Sequence, residues 1–374
     1  MKKNILVVDD SALMRRVICD IINSDSNFQA KDYCRDGQEA YEKLKKTTYD
    51  GVLLDVNMPR MDGLQLLEKL QKDNIKANVV MVSTLTTKDA DVTIRALELG
   101  AIDFVTKPTN IAEAKGEDFK EKVLSTINVV LNSRAALRNM RSSGVSSRTT
   151  ASAGTTKFTT QNVMETPTTK VKINRLKPRT TGNKLVALAC STGGPKALQS
   201  VIPKLPKNLD APMVLVQHMP AGFTKSMAER LNETSSIFVK EAQEGDRLEK
   251  GKVYVAPGGK HMEVVKNADG SHKIKLNDMP AIGGLRPCAN ITYDSLSKSG
   301  FDEVVCVVLT GMGADGTNGI LSLGQHKPIH VISQTADTCV VYGMPKAIAE
   351  SGVCDEVVPL EKVAETITKK VGVK

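Results

Sequence analysis

Short apolar runs recur along the first third of the chain, each followed by a stretch with helical spacing. Residues 5–8, 52–54, 79–82 and 104–105 have the length and composition of strands buried on both faces. Amphipathic segments fall between them at 12–22, 38–45, 64–70 and 89–99. A last helix is predicted through Phe119, Val123, Ile127, Val130 and Leu131. This alternation predicts an α/β unit with a doubly wound parallel sheet. A second α/β pattern starts at Leu185, with strands predicted at 185–189, 213–217, 304–309 and 329–333. A Gly-punctuated stretch from about 245 to 277 interrupts it, and there 253–256, 262–265 and 273–276 read as antiparallel strands. No repeat of solenoid period is present.

Between the two patterns periodicity fails. Residues 139–181 hold sixteen Ser/Thr and eight Lys/Arg against a single acidic residue, Glu165. Such a segment buries too little to offset its ordering entropy, so a flexible linker is expected. The division that follows is 1–135, a linker at 136–181, and 182–374. With that stretch set aside the net charge of +9 largely disappears. A solvated linker therefore explains the basicity better than a nucleic-acid surface does, and the lack of Trp argues against base stacking. The seven cysteines show no C-x-x-C, which fits a reducing cytoplasm. No apolar run approaches the roughly 18–20 residues that span a bilayer, so no direct membrane insertion is expected.

Candidate chemistry sits at predicted strand ends. Asp9 and Asp10 follow the first strand and Asp55 ends the third, where an open parallel sheet places its ligand crevice. Carboxylates gathered there repel one another unless a cation intervenes, and hard oxygen donors suit Mg²⁺. Ser83 and Lys107 end the next two strands and could partner a phosphorylated carboxylate. Taken alone, Asp9 or Asp10 reads better as an exposed turn residue; five matching residues at strand ends tell against that reading. The motifs Val-Val-Asp-Asp-Ser (7–11), Asp-Val-Asn-Met-Pro-Arg-Met-Asp-Gly (55–63), Ser-Thr (83–84) and Phe-Val-Thr-Lys-Pro (104–108) resemble response-regulator receiver domains, which have a flavodoxin-like fold. The resemblance implies that Asp55 accepts phosphate from a histidine kinase. It further implies that Asp9, Asp10, Asp55 and the Asn57 carbonyl hold Mg²⁺, that Ser83 and Lys107 sense the phosphoryl group, and that Phe104 is the switch aromatic.

In the second half, Ser191 lies between an apolar strand and Thr192-Gly193-Gly194-Pro195, a sequence suited to a tight strand-to-helix turn. His218 follows the next strand, and Asp315 lies in the Gly-rich loop after the strand at 304–309. A nucleophile, a base and an orienting carboxylate at three strand ends make a candidate triad. Singly they have other readings: Ser191 as a helix cap, His218 as a strand-end histidine, Asp315 as a turn carboxylate. The glycines of 311–316 also match G-x-G-x-x-G, which keeps a dinucleotide site open, although the expected acidic residue is displaced to Asp337.

The motifs Ser-Thr-Gly-Gly-Pro (191–195), Gln-His-Met-Pro-Ala-Gly-Phe-Thr (217–224), Tyr-Val-Ala-Pro-Gly-Gly (254–259) and Thr-Gly-Met-Gly-Ala-Asp-Gly (310–316) resemble the CheB protein-glutamate methylesterases of chemotaxis. That resemblance implies Ser191 as nucleophile, His218 as general base, Asp315 as its partner, and backbone N–H groups of Thr192 and Met312 as the oxyanion hole. It implies chemoreceptor glutamyl methyl esters as substrates, receptor glutamine deamidation as a companion activity, and no cofactor for hydrolysis. Two stretches depart from the family pattern: Ala189-Cys190 stands for Gly-Ala, and Arg286-Pro287-Cys288-Ala289-Asn290 for Arg-Pro-Ser-x-Asp. Cys190 is expected to pack into the core by strand alternation. A response regulator with a DNA-binding output and an inactive binding module are the competing classes; the first lacks a basic helix-turn-helix after Leu185.

Overall fold

The computed structural model describes residues 2–142 and 182–373. The first unit alternates β1 (Lys3–Val8), α1 (Ala12–Ser24), β2 (Phe28–Cys34), α2 (Gly37–Lys46), β3 (Gly51–Asp55), α3 (Gly63–Lys72), β4 (Val79–Ser83), α4 (Thr87–Glu98) and β5 (Asp103–Thr106). The short α5 (Ile111–Ala114) and the long α6 (Glu117–Ser142) follow. Its sheet is parallel throughout in the order β2-β1-β3-β4-β5. Strands β3 and β4 are buried at every position because helices cover both faces, which is why they read as unbroken apolar runs. Helix starts are set by side-chain caps: Ser11 accepts from Met14 N, Asp36 from Gln38 N and Glu39 N, and Asp62 forms a capping box with Gln65.

The second unit contains β6 (Lys184–Cys190), α7 (Gly194–Val201), β7 (Met213–Gln217), α8 (Phe223–Thr234), β8 (Phe238–Glu241), β9 (Lys252–Val255), β10 (His261–Lys266) and β11 (His272–Asn277). Then come α9 (Ala289–Leu296), β12 (Glu303–Val308), α10 (Thr317–His326), β13 (Ile329–Gln334), α11 (Met344–Glu350), β14 (Glu356–Val358) and α12 (Leu360–Val371). Seven strands pair in parallel in the order β14-β13-β12-β6-β7-β9-β8, and β10 and β11 form a separate antiparallel hairpin.

One expectation is corrected. Residues 253–256 are not antiparallel: β9 runs parallel between β7 and β8. Its Val253, Tyr254 and Val255 are covered on both faces, as a central strand requires, whereas the hairpin keeps one wet face. Strands β2 and β8 carry too many polar side chains for an apolar-run reading, and β14 is only three residues long; all three lie at sheet edges. Helix α6 continues to Ser142, past the expected boundary at 135, and the rest of the expected linker lies outside the described residues.

Candidate active site

In an open parallel sheet the ligand crevice forms where the strand order reverses, at the carboxyl ends. In the C-terminal sheet the reversal falls between β6 and β12, the two strands that carry Ser191 and the 310–316 loop. Gly193 has φ +77°, a left-handed conformation that lets the chain turn straight from β6 into α7. The helix begins at Gly194 with Gly193 as its cap, so Ser191 is not a helix cap. Ser191 N donates to Thr310 O at 3.0 Å, and Gln217 Nε2 donates to Ser191 O at 3.1 Å. Gly311 lies so close that a Cβ there would come within 2.8 Å of Ser191 Cβ. The loop glycine serves this close packing on the serine, and its neighbouring Asp315 is engaged by a histidine.

Registry brings His218 alongside. Cys190 pairs with Gln217 across β6 and β7, so Ser191 and His218 are the next residues on adjacent strands, and His218 N donates to Cys190 O at 3.2 Å. His218 Nε2 meets Asp315 Oδ2 at 2.8 Å, and both side chains are more than nine-tenths buried. That contact commits Nε2 to the carboxylate and leaves Nδ1 as the nitrogen available to act as a base. Among the described residues the Ser191 hydroxyl makes no hydrogen bond; contacts of this kind commonly tighten when substrate seats.

Asp315 is held from several sides. Ala289 N donates to Oδ2 at 2.7 Å, while Oδ1 accepts from Gly316 N at 2.9 Å, Asn290 N at 3.1 Å and Cys288 Sγ at 3.2 Å. Burial pushes this carboxyl up, but the His218 contact and these donors outweigh it and bring the pKa down to about 2. The carboxylate therefore stays ionised where a neutral acid could not orient an imidazole. Sequence reasoning missed this clamp, although the departures at 286–290 pointed to its location. Cys190, by contrast, packs where alternation put it: it is fully buried, and burial pushes its thiol far up.

The acidic residues of the first unit also meet at a reversal of strand order, between β1 and β3. Carboxylate oxygens of Asp9, Asp10 and Asp55 lie within 4.8 Å of one another, a donor set fitting a hard divalent cation. Lys107 Nζ stands 2.8 Å from Asp9 Oδ2 and 2.7 Å from Asp55 Oδ2. Burial pushes the Asp55 carboxyl up to about 6; Asp9 adds to the rise and Lys107 opposes it. Asn57 turns its side chain to Asp89 at 2.7 Å, which leaves its carbonyl for other partners. Ser83 is not directed at the cluster; Thr93 Oγ1 donates to its hydroxyl at 2.8 Å.

Residues 186–367 match the family described as CheB methylesterase, and residues 5–116 match the response regulator receiver domain. The protein-glutamate methylesterase/protein-glutamine glutaminase of Pyrococcus horikoshii is 42% identical over 373 residues, covering 99% of this chain and 94% of that protein. The chain belongs to the CheB methylesterase family. Its Bacillus subtilis relative of the same description is 39% identical, with 97% of each chain covered. The crystal structure of the Thermotoga maritima CheB methylesterase catalytic domain is 41% identical, covers 50% of this chain and 99% of that one, and gives a TM-score of 0.47.

The two units of this CheB family member meet close to Ser191. Phe104 of β5 stacks on Phe223, the first residue of α8, with centroids 4.5 Å apart and planes inclined by 24°. The last residue of α4, Glu98, accepts from Arg230 Nε of α8 at 2.7 Å, Arg230 Nη2 at 3.1 Å and Gln199 Nε2 of α7 at 2.9 Å. Asp103 reaches the Thr192 side chain, next to the serine; burial there pushes its carboxyl up against that hydrogen bond and one from Phe104 N. None of Glu98, Asp103 or Arg230 carried a sequence signal, because an ion pair between distant surface helices has no local pattern.

Proposed function

We propose that this chain is a phosphorylation-activated serine esterase. It hydrolyses glutamyl methyl esters on methylated chemoreceptors to glutamate and methanol, and it deamidates receptor glutamines, in chemotactic adaptation. The observation that carries this reading is the His218–Asp315 pair, buried and 2.8 Å apart at the strand end adjoining Ser191. Residues 1–135 are the phosphoacceptor domain, 182–374 the catalytic domain, and 136–181 the connection; the two family matches lie inside those limits.

In the reaction, Ser191 Oγ attacks the ester carbonyl carbon and its proton passes to His218 Nδ1. Asp315 holds the ring in the tautomer that leaves Nδ1 basic and stabilises the imidazolium. Backbone N–H groups of Thr192 and Met312, one beside Ser191 and one beside the Gly311 that packs on it, receive the oxyanion. Collapse breaks the carbon–oxygen bond, and His218 returns the proton to the departing methoxide as methanol. Water activated by the same imidazole then releases the glutamate and restores the serine. A glutamine side chain follows the same course with ammonia as the leaving group.

Control lies in the first domain. A chemotaxis histidine kinase is the phosphodonor to Asp55, and Asp9, Asp10, Asp55 and the Asn57 carbonyl would hold Mg²⁺. The cation supplies charge neutralisation for the incoming phosphoryl group. Lys107 and Ser83 then exchange their present partners for the phosphoryl oxygens, and Phe104 follows. Its stacking on Phe223, together with the Glu98–Arg230 contact, docks the receiver beside the nucleophile; loosening it shifts the domains towards an open cleft. No described helix is long and apolar enough to cross a membrane. The test is methanol release from methylated receptor membranes with and without acetyl phosphate and Mg²⁺. The wild type is expected to accelerate and Asp55→Asn to stay at the basal rate. Equal rates under all conditions would remove the receiver from control.

A further inference from the structure

Among the described residues, the groups that hold the Asp315 carboxylate are main-chain N–H groups apart from two: His218 and Cys288 reach it with side chains. Cys288 is 1% exposed and lies immediately before α9. Its own backbone is pinned, because Cys288 N donates to His261 Nδ1 at 3.2 Å and the far nitrogen of that ring meets Pro280 O at 3.1 Å. The next turn is tied to the Asp315 loop as well: Asn290 Oδ1 accepts from Gly316 N at 3.0 Å and Gly319 N at 2.8 Å. The thiol is therefore aimed at Oδ1 by a framework that does not depend on the thiol itself.

We infer that Cys288 is a positioning residue of the esterase, donating its S–H to Asp315 Oδ1 and thereby fixing the carboxylate that orients His218. The inference rests on the esterase reading above. Burial, with the nearby Asp315 charge, pushes the thiol up to about 12, so it is a proton donor at neutral pH and neither a nucleophile nor a metal-binding thiolate. A thiol donates more weakly than a serine hydroxyl does. The donor on Oδ1 sets how much negative charge Oδ2 keeps for the imidazolium. A stronger donor leaves Oδ2 less charge with which to stabilise the imidazolium, and the loss of a donor leaves it more. The ionisable groups around Asp315 are His218, Cys288 and, across the start of α9, Tyr293. Tyr293 is buried and its phenol is pushed far up, so it stays neutral throughout the working range.

The experiment measures methanol release by the full chain, activated with acetyl phosphate and Mg²⁺, on methylated receptor membranes from pH 5 to 9. The wild type is compared with Cys288→Ala, Cys288→Ser and Ser191→Ala. For Cys288→Ala, kcat should fall about tenfold with KM changed by less than about twofold, and the acid limb of the pH profile should move up. Cys288→Ser should keep kcat within about threefold of wild type and move the acid limb down. Equal losses in the Ala and Ser variants with an unmoved acid limb would mean that Cys288 only fills space. Wild-type kcat in Cys288→Ala would overturn the inference outright. Methanol release surviving in Ser191→Ala would instead overturn the esterase assignment on which it rests.

Discussion

Replacing Asp315 with Asn changes one oxygen to an amide nitrogen and leaves the shape intact. Five donors surround the native carboxylate: His218 Nε2 and Ala289 N at Oδ2, and Gly316 N, Asn290 N and Cys288 Sγ at Oδ1. An amide can accept on one side only. Turning its NH₂ to the Oδ1 side sets it against three donors, so the less costly choice faces His218. There it donates to Nε2, which forces the hydrogen onto Nδ1, the nitrogen that must take the serine proton. A wrong tautomer of this kind lowers kcat by about 10⁴ in the general triad template. Stability should fall too. Depression of the Asp315 pKa from its usual 3.8 to about 2 corresponds to about 2 kcal/mol of folding free energy, present above pH ~4 and lost as the pH falls through 4 towards 2. Kinetic assay of methanol release and denaturant unfolding at pH 7 and pH 3 test both effects. Activity within about tenfold of wild type, with His218→Ala inactive, would refute the tautomer argument.

Other predictions follow from the receiver and its docking. Glu98→Gln removes the charge that Arg230 grips with two nitrogens, so methanol release without phosphodonor should rise several-fold while the fully activated rate stays unchanged; an unaltered basal rate would mean that this contact does not hold the domains together. Asp55 has its folded pKa raised to about 6, so the folded state binds its proton more tightly than the unfolded one. Stability is present at low pH and lost as the pH rises from about 4 through 6, by about 3 kcal/mol. Urea unfolding in metal chelator should show this slope, and both Asp55→Asn and added Mg²⁺ should flatten it. Persistence of the slope in Asp55→Asn would assign it to another group.

The chemistry was legible in the sequence to the extent that it sits at strand ends. Apolar runs located β1, β3, β4, β6, β7, β12 and β13, and the polar residue after or at the end of such a run is carried to the crevice by the sheet itself. That placed Asp9, Asp55, Ser191 and His218. The edge strand β2 escaped because exposure on one side fills it with polar residues such as Gln29, Lys31 and Asp32, whereas the edge strand β5 was marked by Phe104 and Val105. The orientation of β9 escaped because an apolar run has no direction until its partners are known. Asp315 could be named, but its clamp could not: Cys288 and Asn290 reach it across a loop closure, and only their departure from the family pattern marked the place. The docking contacts had no signal at all, since Glu98 and Arg230 are ordinary charged helix residues until two folded surfaces meet.

The central claim is that Ser191 carries the acyl group. It is tested most directly by methanol release from methylated receptor membranes, comparing fully activated wild type with Ser191→Ala under saturating substrate. Loss of release to the uncatalysed level, with folding and Asp55 phosphorylation intact, is the result this account predicts. Equal release by the two proteins would contradict it.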